Sequence, residues 1–175
     1  MSAVPMLKFS GRVLRTAPGR EMTSILPTAK IRPFRQNDAE SAAQILQESS
    51  QAASWPRASH EKLIAQSGVV AFVWEADSLV TGFLVARQVA DQAEVLNMAV
   101  TAKSRRSGQG SALLLAAFEE FHRREVSRVF LEVRESNTVA IAFYRKHGFI
   151  PAGRRKGYYR NPGEDALLME KELTT

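Results

Sequence analysis

The stretch Lys103–Ser111 reads KSRRSGQGS, and a long apolar run follows it. A helix opening from such a turn offers unpaired N–H groups and the positive end of its dipole, and both favour an anion. Gly108 and Gly110 let the backbone approach a ligand closely, and Arg105 and Arg106 add positive charge just upstream. The chemistry this suits is phosphate binding; the plain alternative is a loop-to-helix turn with solvated arginines. Two common phosphate cradles do not fit. A P-loop needs Gly-Lys-Ser/Thr, and here Ser111 follows Gly110 directly. A dinucleotide fingerprint needs a third small residue and a strand immediately before it, whereas Leu113 stands third and residues 101–107 intervene after Val100.

A second group of residues could move protons. In FLEV, residues 130–133, Leu131 and Val133 share one face of a strand and leave Glu132 on the other. A carboxylate framed by apolar neighbours is costly unless it is paired or used. Glu132 is therefore either a salt-bridged strand residue or a proton acceptor. Downstream, Asn137, Ile141 and Tyr144 recur at i, i+4, i+7 and lie on one helix face. Asn137 suits a helix cap as well as a ligand contact. Tyr144 suits core packing with its hydroxyl at the edge as well as proton donation. Tyr158 and Tyr159 form an aromatic pair in a segment that reads as a loop.

The elements that must hold these residues follow from periodicity. KIRPF, residues 30–34, reads as a short edge strand because of Pro33. Asn37 or Asp38 can cap a helix through Ala42, Ile45 and Leu46, and Ser59 a second short helix in SHEKLIAQ. VVAFVWEA and SLVTGFLVARQVA read as strands joined near Asp77–Ser78, and EVLNMAV as a third, making an antiparallel meander. A long amphipathic helix follows from Gly108 to about Arg124, with Leu114, Phe118 and Phe121 on one face. Then come a strand RVFLEV, a helix closed by Gly148, and a last strand EDALLMEKEL. The pattern predicts an α/β domain with a mixed sheet.

Composition narrows the class. The 175 residues suit one domain, and the 45% hydrophobic and 24% charged content is that of a globular chain. No run approaches the length needed to span a bilayer, so no membrane role is expected. Cys is absent, which excludes a thiol nucleophile and a disulfide; with three scattered His, no metal site is expected. Residues 1–35 carry seven Lys or Arg against Glu21 alone, while the other 140 residues hold 17 of each sign. The net charge of +6 therefore belongs to the N-terminal segment, which argues against a nucleic-acid-binding domain. Residues 1–29 are expected to form a flexible basic arm, with ribosome or RNA contact as a second role and Met22 as an alternative start; residues 30–175 form the domain.

Arg105-x-x-Gly108-x-Gly110 resembles the Arg/Gln-x-x-Gly-x-Gly/Ala turn of the GNAT acetyltransferases. LNMAV, RRSGQGSALL, LEVRESN, AFYRKHGF and GYYRNPGEDALLME together look like the RimI-type ribosomal-protein N-alpha-acetyltransferases. The resemblance runs from about Val69 to Leu173 and is weaker from Ile31 to Gly68. It implies a GNAT fold: a mixed, mostly antiparallel central sheet flanked by helices, with splayed central strands holding acetyl-CoA. It implies that Arg105, Arg106, Ser107, Gly108, Gln109, Gly110 and Ser111 grip the pyrophosphate, and that Met98, Ala99 and Val100 pair with the pantetheine arm. Glu132 then matches a general base, Tyr144 a general acid, Asn137 a coenzyme A contact, and Tyr158 and Tyr159 a loop over the acceptor peptide. The implied reaction moves an acetyl group to a protein N-terminal amine, such as the alanine of a small-subunit ribosomal protein, directly in a ternary complex. Lysine side chains or small amines are the alternative acceptors, and an idle acyl-CoA-binding or ribosome-binding module is a third reading. A cytoplasmic monomer or weak dimer is expected.

Overall fold

The computed structural model describes residues 29–49 and 55–173. Apart from Ala29, the basic arm and Met22 lie outside the described residues. The elements are β1 (Ala29–Pro33), α1 (Ala39–Gln47), α2 (Arg57–Ile64), β2 (Val69–Ala76), β3 (Leu79–Val89), β4 (Gln92–Val100), α3 (Gln109–Arg123), β5 (Arg128–Arg134), α4 (Thr138–Lys146), β6 (Ile150–Arg160) and β7 (Gly163–Glu172). The strands form one sheet in the order β1-β2-β3-β4-β5-β7-β6. Neighbours run antiparallel except β4 and β5, which are parallel and joined by the α3 crossover. The mixed, mostly antiparallel sheet expected from the sequence is the observed one.

Both faces of the meander are covered. On one, Leu113, Leu114, Ala117 and Phe121 of α3 bury against Phe72, Leu84, Val95, Val129 and Leu131. On the other, Ala42, Ile45 and Leu46 of α1 bury against Val73, Phe83 and Val85. Phe121 is fully enclosed, so Phe121→Ala would cost about 3–5 kcal/mol. The β2–β3 turn falls where expected: Asp77 and Ser78 both take positive φ, 49° and 66°, which matches the twist of a two-residue hairpin.

Local expectations fail at three places. Asp38 precedes α1 but makes no side-chain cap. Its carboxylate instead takes the Arg32 guanidinium at 2.7 and 2.9 Å and the Arg35 N–H at 2.7 Å. Ser59 lies inside α2, which starts at Arg57 behind Pro56. The strand β6 has no counterpart among the elements expected from periodicity. Its sequence, IPAGRRKGYYR, contains Pro and two Gly and leaves ten of its eleven residues exposed. An edge strand bare on both faces carries no alternation to detect.

One irregularity in β4 opens the sheet. Val95 pairs with Ala86 and Asn97 with Val85, so Leu96 is an extra residue in the strand. A bulge of this kind reverses which face successive side chains take. Before it, Ala93 and Val95 pack on the α3 side; after it, Ala99 packs on the α1 side and Met98 and Val100 on the α3 side. The β4–β5 ladder runs only from Gln92↔Arg128 to Val95↔Leu131 and stops at the bulge. Beyond that point the two strands continue without pairing, as a splay.

Candidate active site

The splay leaves Met98, Ala99 and Val100 with β3 on one side and no strand on the other. The glycine turn stands at the same end of the sheet. Gly108 occupies the residue before α3 with φ +87°, a left-handed conformation that disfavours side chains, and a Cβ there would meet nothing within 4 Å. Its glycine is therefore required by backbone conformation, with open space beside it. Gly110 differs: a Cβ there would lie 3.3 Å from Met98 Cε and 3.6 Å from the Phe143 ring. That glycine brings α3 close to β4 and α4 rather than clearing room for a phosphate.

The first intrahelical bond of α3 runs from Ala112 N–H to Gly108 O at 3.0 Å, and no side chain caps the helix. The N–H groups of Gln109, Gly110 and Ser111 thus have no helical acceptor. Gln109 is fixed by Thr81 Oγ1 at 3.0 Å, and Ser107 Oγ donates to Ser104 O at 2.6 Å. Arg105 and Arg106 stay exposed, and Arg106 has φ +61°. Uncapped donors, adjacent open space and two exposed cations fit an anionic ligand.

Glu132 sits on β5 just past the last residue paired to β4, on the sheet face away from α3. Its carboxylate meets Arg155 Nη1 at 2.7 Å and accepts a hydrogen bond from the Tyr158 hydroxyl. That bond, with burial, pushes the Tyr158 phenol up to about 12. Tyr158 and Tyr159 touch edge to face at 5.1 Å, and both lie on β6 rather than in a loop. Burial and then the Glu132 charge raise the Tyr159 phenol. Tyr159 also helps raise Tyr144, although burial is the larger cause, so Tyr159 stands within electrostatic reach of both Glu132 and Tyr144.

Tyr144 packs edge to face on Phe143 and Phe149, with ring centroids 5.2 and 5.6 Å away. Its phenol is pushed up to about 12, chiefly by burial. Full transfer of its proton to a thiolate of ordinary pKa, about 8.5, is uphill, whereas hydrogen-bond donation is available throughout the neutral range. Asn137 caps α4: its side-chain oxygen accepts from Ala140 N–H at 3.1 Å. Its amide nitrogen stays available to a ligand.

Three site residues are not among those the sequence points to. Arg155, on β6, is the partner of Glu132. Glu94, on β4, shares with Glu132, Arg87, Arg155, Phe130 and Leu168 a cavity of ≈ 340 Å³. Burial and then the Glu132 charge raise the Glu94 carboxyl. The clue for Glu94 is the one used for Glu132, an acid between apolar strand neighbours Ala93 and Val95. Arg134 is buried and binds Asn161 O at 3.1 Å, Pro162 O at 3.3 Å and Glu164 Oε2 at 3.2 Å, with its guanidinium 4.1 Å from the Tyr159 ring centre. It fastens the β6–β7 turn and its aromatics to β5. Among the described residues no three His, Cys, Asp or Glu are grouped to hold a metal, and no helix is long and apolar enough to cross a membrane.

A sheet splayed after a β4 bulge, with an uncapped glycine-led helix at its mouth, defines an acyl-CoA-dependent transferase of GNAT type. The chain belongs to the acetyltransferase (GNAT) family, whose pattern matches residues 39–149. It is 33% identical over 142 residues to a putative [ribosomal protein bS18]-alanine N-acetyltransferase of Bacillus subtilis, covering 81% of this chain and 93% of that one. It is 40% identical over 89 residues to the [ribosomal protein bS18]-alanine N-acetyltransferase of Escherichia coli K12, covering 50% of this chain and 60% of that one. The crystal structure of the E. coli ribosomal-protein-S18-alanine N-acetyltransferase superposes with a TM-score of 0.76 at 29% identity, over 84% of this chain and 95% of that one. The protein is an acetyl-CoA-dependent N-acetyltransferase, and acetyl-CoA supplies the acetyl group as an activated thioester.

Proposed function

We propose that this protein acetylates the N-terminal amine of a ribosomal protein, the alanine of bS18, by direct transfer in a ternary complex. The observation that carries the reading is Glu132. It is a carboxylate at the point where β4 and β5 part, 11% exposed and aligned by Tyr158 from the β6–β7 hairpin. The names of the relatives supply the acceptor.

The chain's own groups divide the work. Backbone donors at Gln109–Ser111, with Arg105 and Arg106, hold the donor's phosphates, and the unpaired edge at Met98–Val100 takes its arm. An N–H on that edge polarises the carbonyl under attack. Glu132 takes the proton of the attacking amine, directly or through one water. Tyr144 donates a hydrogen bond to the departing sulfur. Tyr158 and Tyr159 flank the acceptor, and the amide nitrogen of Asn137 remains available to the donor. An alpha-amine, with a pKa of about 8, is roughly one-quarter neutral at pH 7.5, against about 0.1% for a lysine. A single carboxylate therefore suffices for the former. A cytoplasmic setting follows from a ribosomal acceptor.

The test is acetyl-CoA turnover against peptides that begin with alanine, carrying either a free or a blocked N-terminus and an internal lysine. Turnover confined to free N-termini is expected. Equal turnover of the blocked peptide through its lysine would overturn the reading.

A further inference from the structure

Two of the arginines near Glu132, Arg134 and Arg155, are held in opposite ways. Arg134 is 9% exposed at its side chain, with three oxygen partners and an aromatic ring against it. Arg155 is 55% exposed and has Glu132 as its ion-pair partner at 2.7 Å, with the Tyr158 ring centre 5.6 Å away. Its backbone pairs with Ala166 at the edge of an irregularity in the strand. β6 is the edge strand, and its pairing to β7 breaks directly after Arg155. Lys156, Gly157 and Tyr158 stand opposite Asp165 alone, and Gly157 turns through φ +59°. The guanidinium thus rests on the carboxylate from the residue just before a bulge, past which pairing resumes at Tyr159↔Glu164.

We propose that Arg155 is an internal stand-in for the acceptor amine: its guanidinium holds the Glu132 carboxylate until an acceptor enters, and then swings off along the β6 edge. The inference rests on the proposed acetyltransferase role of Glu132. An incoming ammonium and a guanidinium present the same chemistry, N–H donors bearing one positive charge. Both seek the same carboxylate, and like charges repel at that spacing. A guanidinium does not deprotonate in a protein, so Arg155 can yield only by moving. Its exposure and the break in β6 make that motion cheap, and the cavity beside Glu132 and Glu94 admits the amine. Arg155 thereby sets acceptor affinity without entering the chemical step, and it keeps stray cations off the base between turnovers.

The experiment compares wild type, Arg155→Gln, Arg155→Met and Arg155→Lys at saturating acetyl-CoA with a varied alanine-first peptide. Calorimetry of the same peptide on the coenzyme A-loaded protein gives a readout free of turnover. For an exposed ion pair, removing the competitor should lower the acceptor KM, and the calorimetric Kd, by about two- to fivefold. In Arg155→Gln and Arg155→Met, kcat should not fall and the acetyl-CoA KM should not move. Arg155→Lys, which keeps the charge, should stay near wild type. A KM or Kd that is unchanged or rises in the neutral variants would overturn the proposal while leaving the acetyltransferase reading intact. Wild-type failure to acetylate any peptide would sink both.

Discussion

The replacement Glu132→Gln separates a proton acceptor from a strand salt bridge. Gln keeps the shape and can still accept from Tyr158, but it loses the charge. Arg155, already 55% exposed, can turn to solvent, so the stability cost should be below about 1 kcal/mol. The kinetic loss has two candidate sizes. If Glu132 only shifts the amine's resting protonation, its contribution is capped by the neutral fraction. That fraction is roughly one-quarter at pH 7.5 and nearly complete at pH 9.5, so the deficit could not exceed about fourfold and would vanish at the higher pH. If Glu132 takes the proton as the bond forms, the deficit should be roughly 10²–10⁴ and should persist at pH 9.5. We expect the second. The assay is kcat and kcat/KM for an alanine-first peptide at both pH values, alongside a thermal melt. A deficit under tenfold at pH 7.5, or a large fall in Tm, would refute a catalytic role for Glu132.

Four further outcomes are expected. Tyr144→Phe keeps the contacts with Phe143 and Phe149 and should leave the melt unchanged while lowering kcat by about tenfold or more; wild-type kcat would remove the hydroxyl from the reaction. Gly108→Ala should cost about 1 kcal/mol through its positive φ, with Gly108→Asn milder and Gly108→Val worse; denaturation midpoints that ignore this order would contradict the left-handed turn. His60 is fully buried among Phe34, Trp55 and Phe83 with neither ring nitrogen bonded, and burial lowers its pKa, so wild-type stability should be full above the ordinary value of 6.5 and decline as pH falls below it. His60→Leu should flatten that decline in urea titrations between pH 5 and 7; an unchanged slope would point elsewhere. Glu94→Gln should stabilise the protein at pH 7, where burial and Glu132 oppose the charged carboxylate, and should have no effect below the ordinary carboxylate pKa, as thermal melts at pH 7 and pH 4 can check.

Much of the fold is legible in the sequence because buried strands and helices carry a period. The meander strands carry apolar runs because both their faces are covered, and α3 and β5 bury one face each, as their side-chain pattern says. β6 is illegible for the converse reason, since a strand with ten of its eleven residues exposed leaves no pattern. Tyr158 and Tyr159 therefore stand out as aromatics yet read as loop residues, and nothing marks Arg155. The face taken by β4 residues can be read only as far as Leu96, because one extra residue there reverses the alternation. Gly108 and Gly110 look alike in sequence, yet one answers to backbone angle and the other to Met98 and Phe143. The proton affinity of Tyr144 depends on how it is buried in the folded protein, which local spacing cannot report.

The four-rung contact between β4 and β5 has a mechanical meaning. It is the seam between two antiparallel blocks, β1–β4 and β5–β7–β6, and past it the blocks are held by α3 and by whatever lies in the cleft. A molecule that hydrogen-bonds to the open edge completes the joint, so its binding energy adds directly to resistance against unfolding, by RT ln(1 + [L]/Kd).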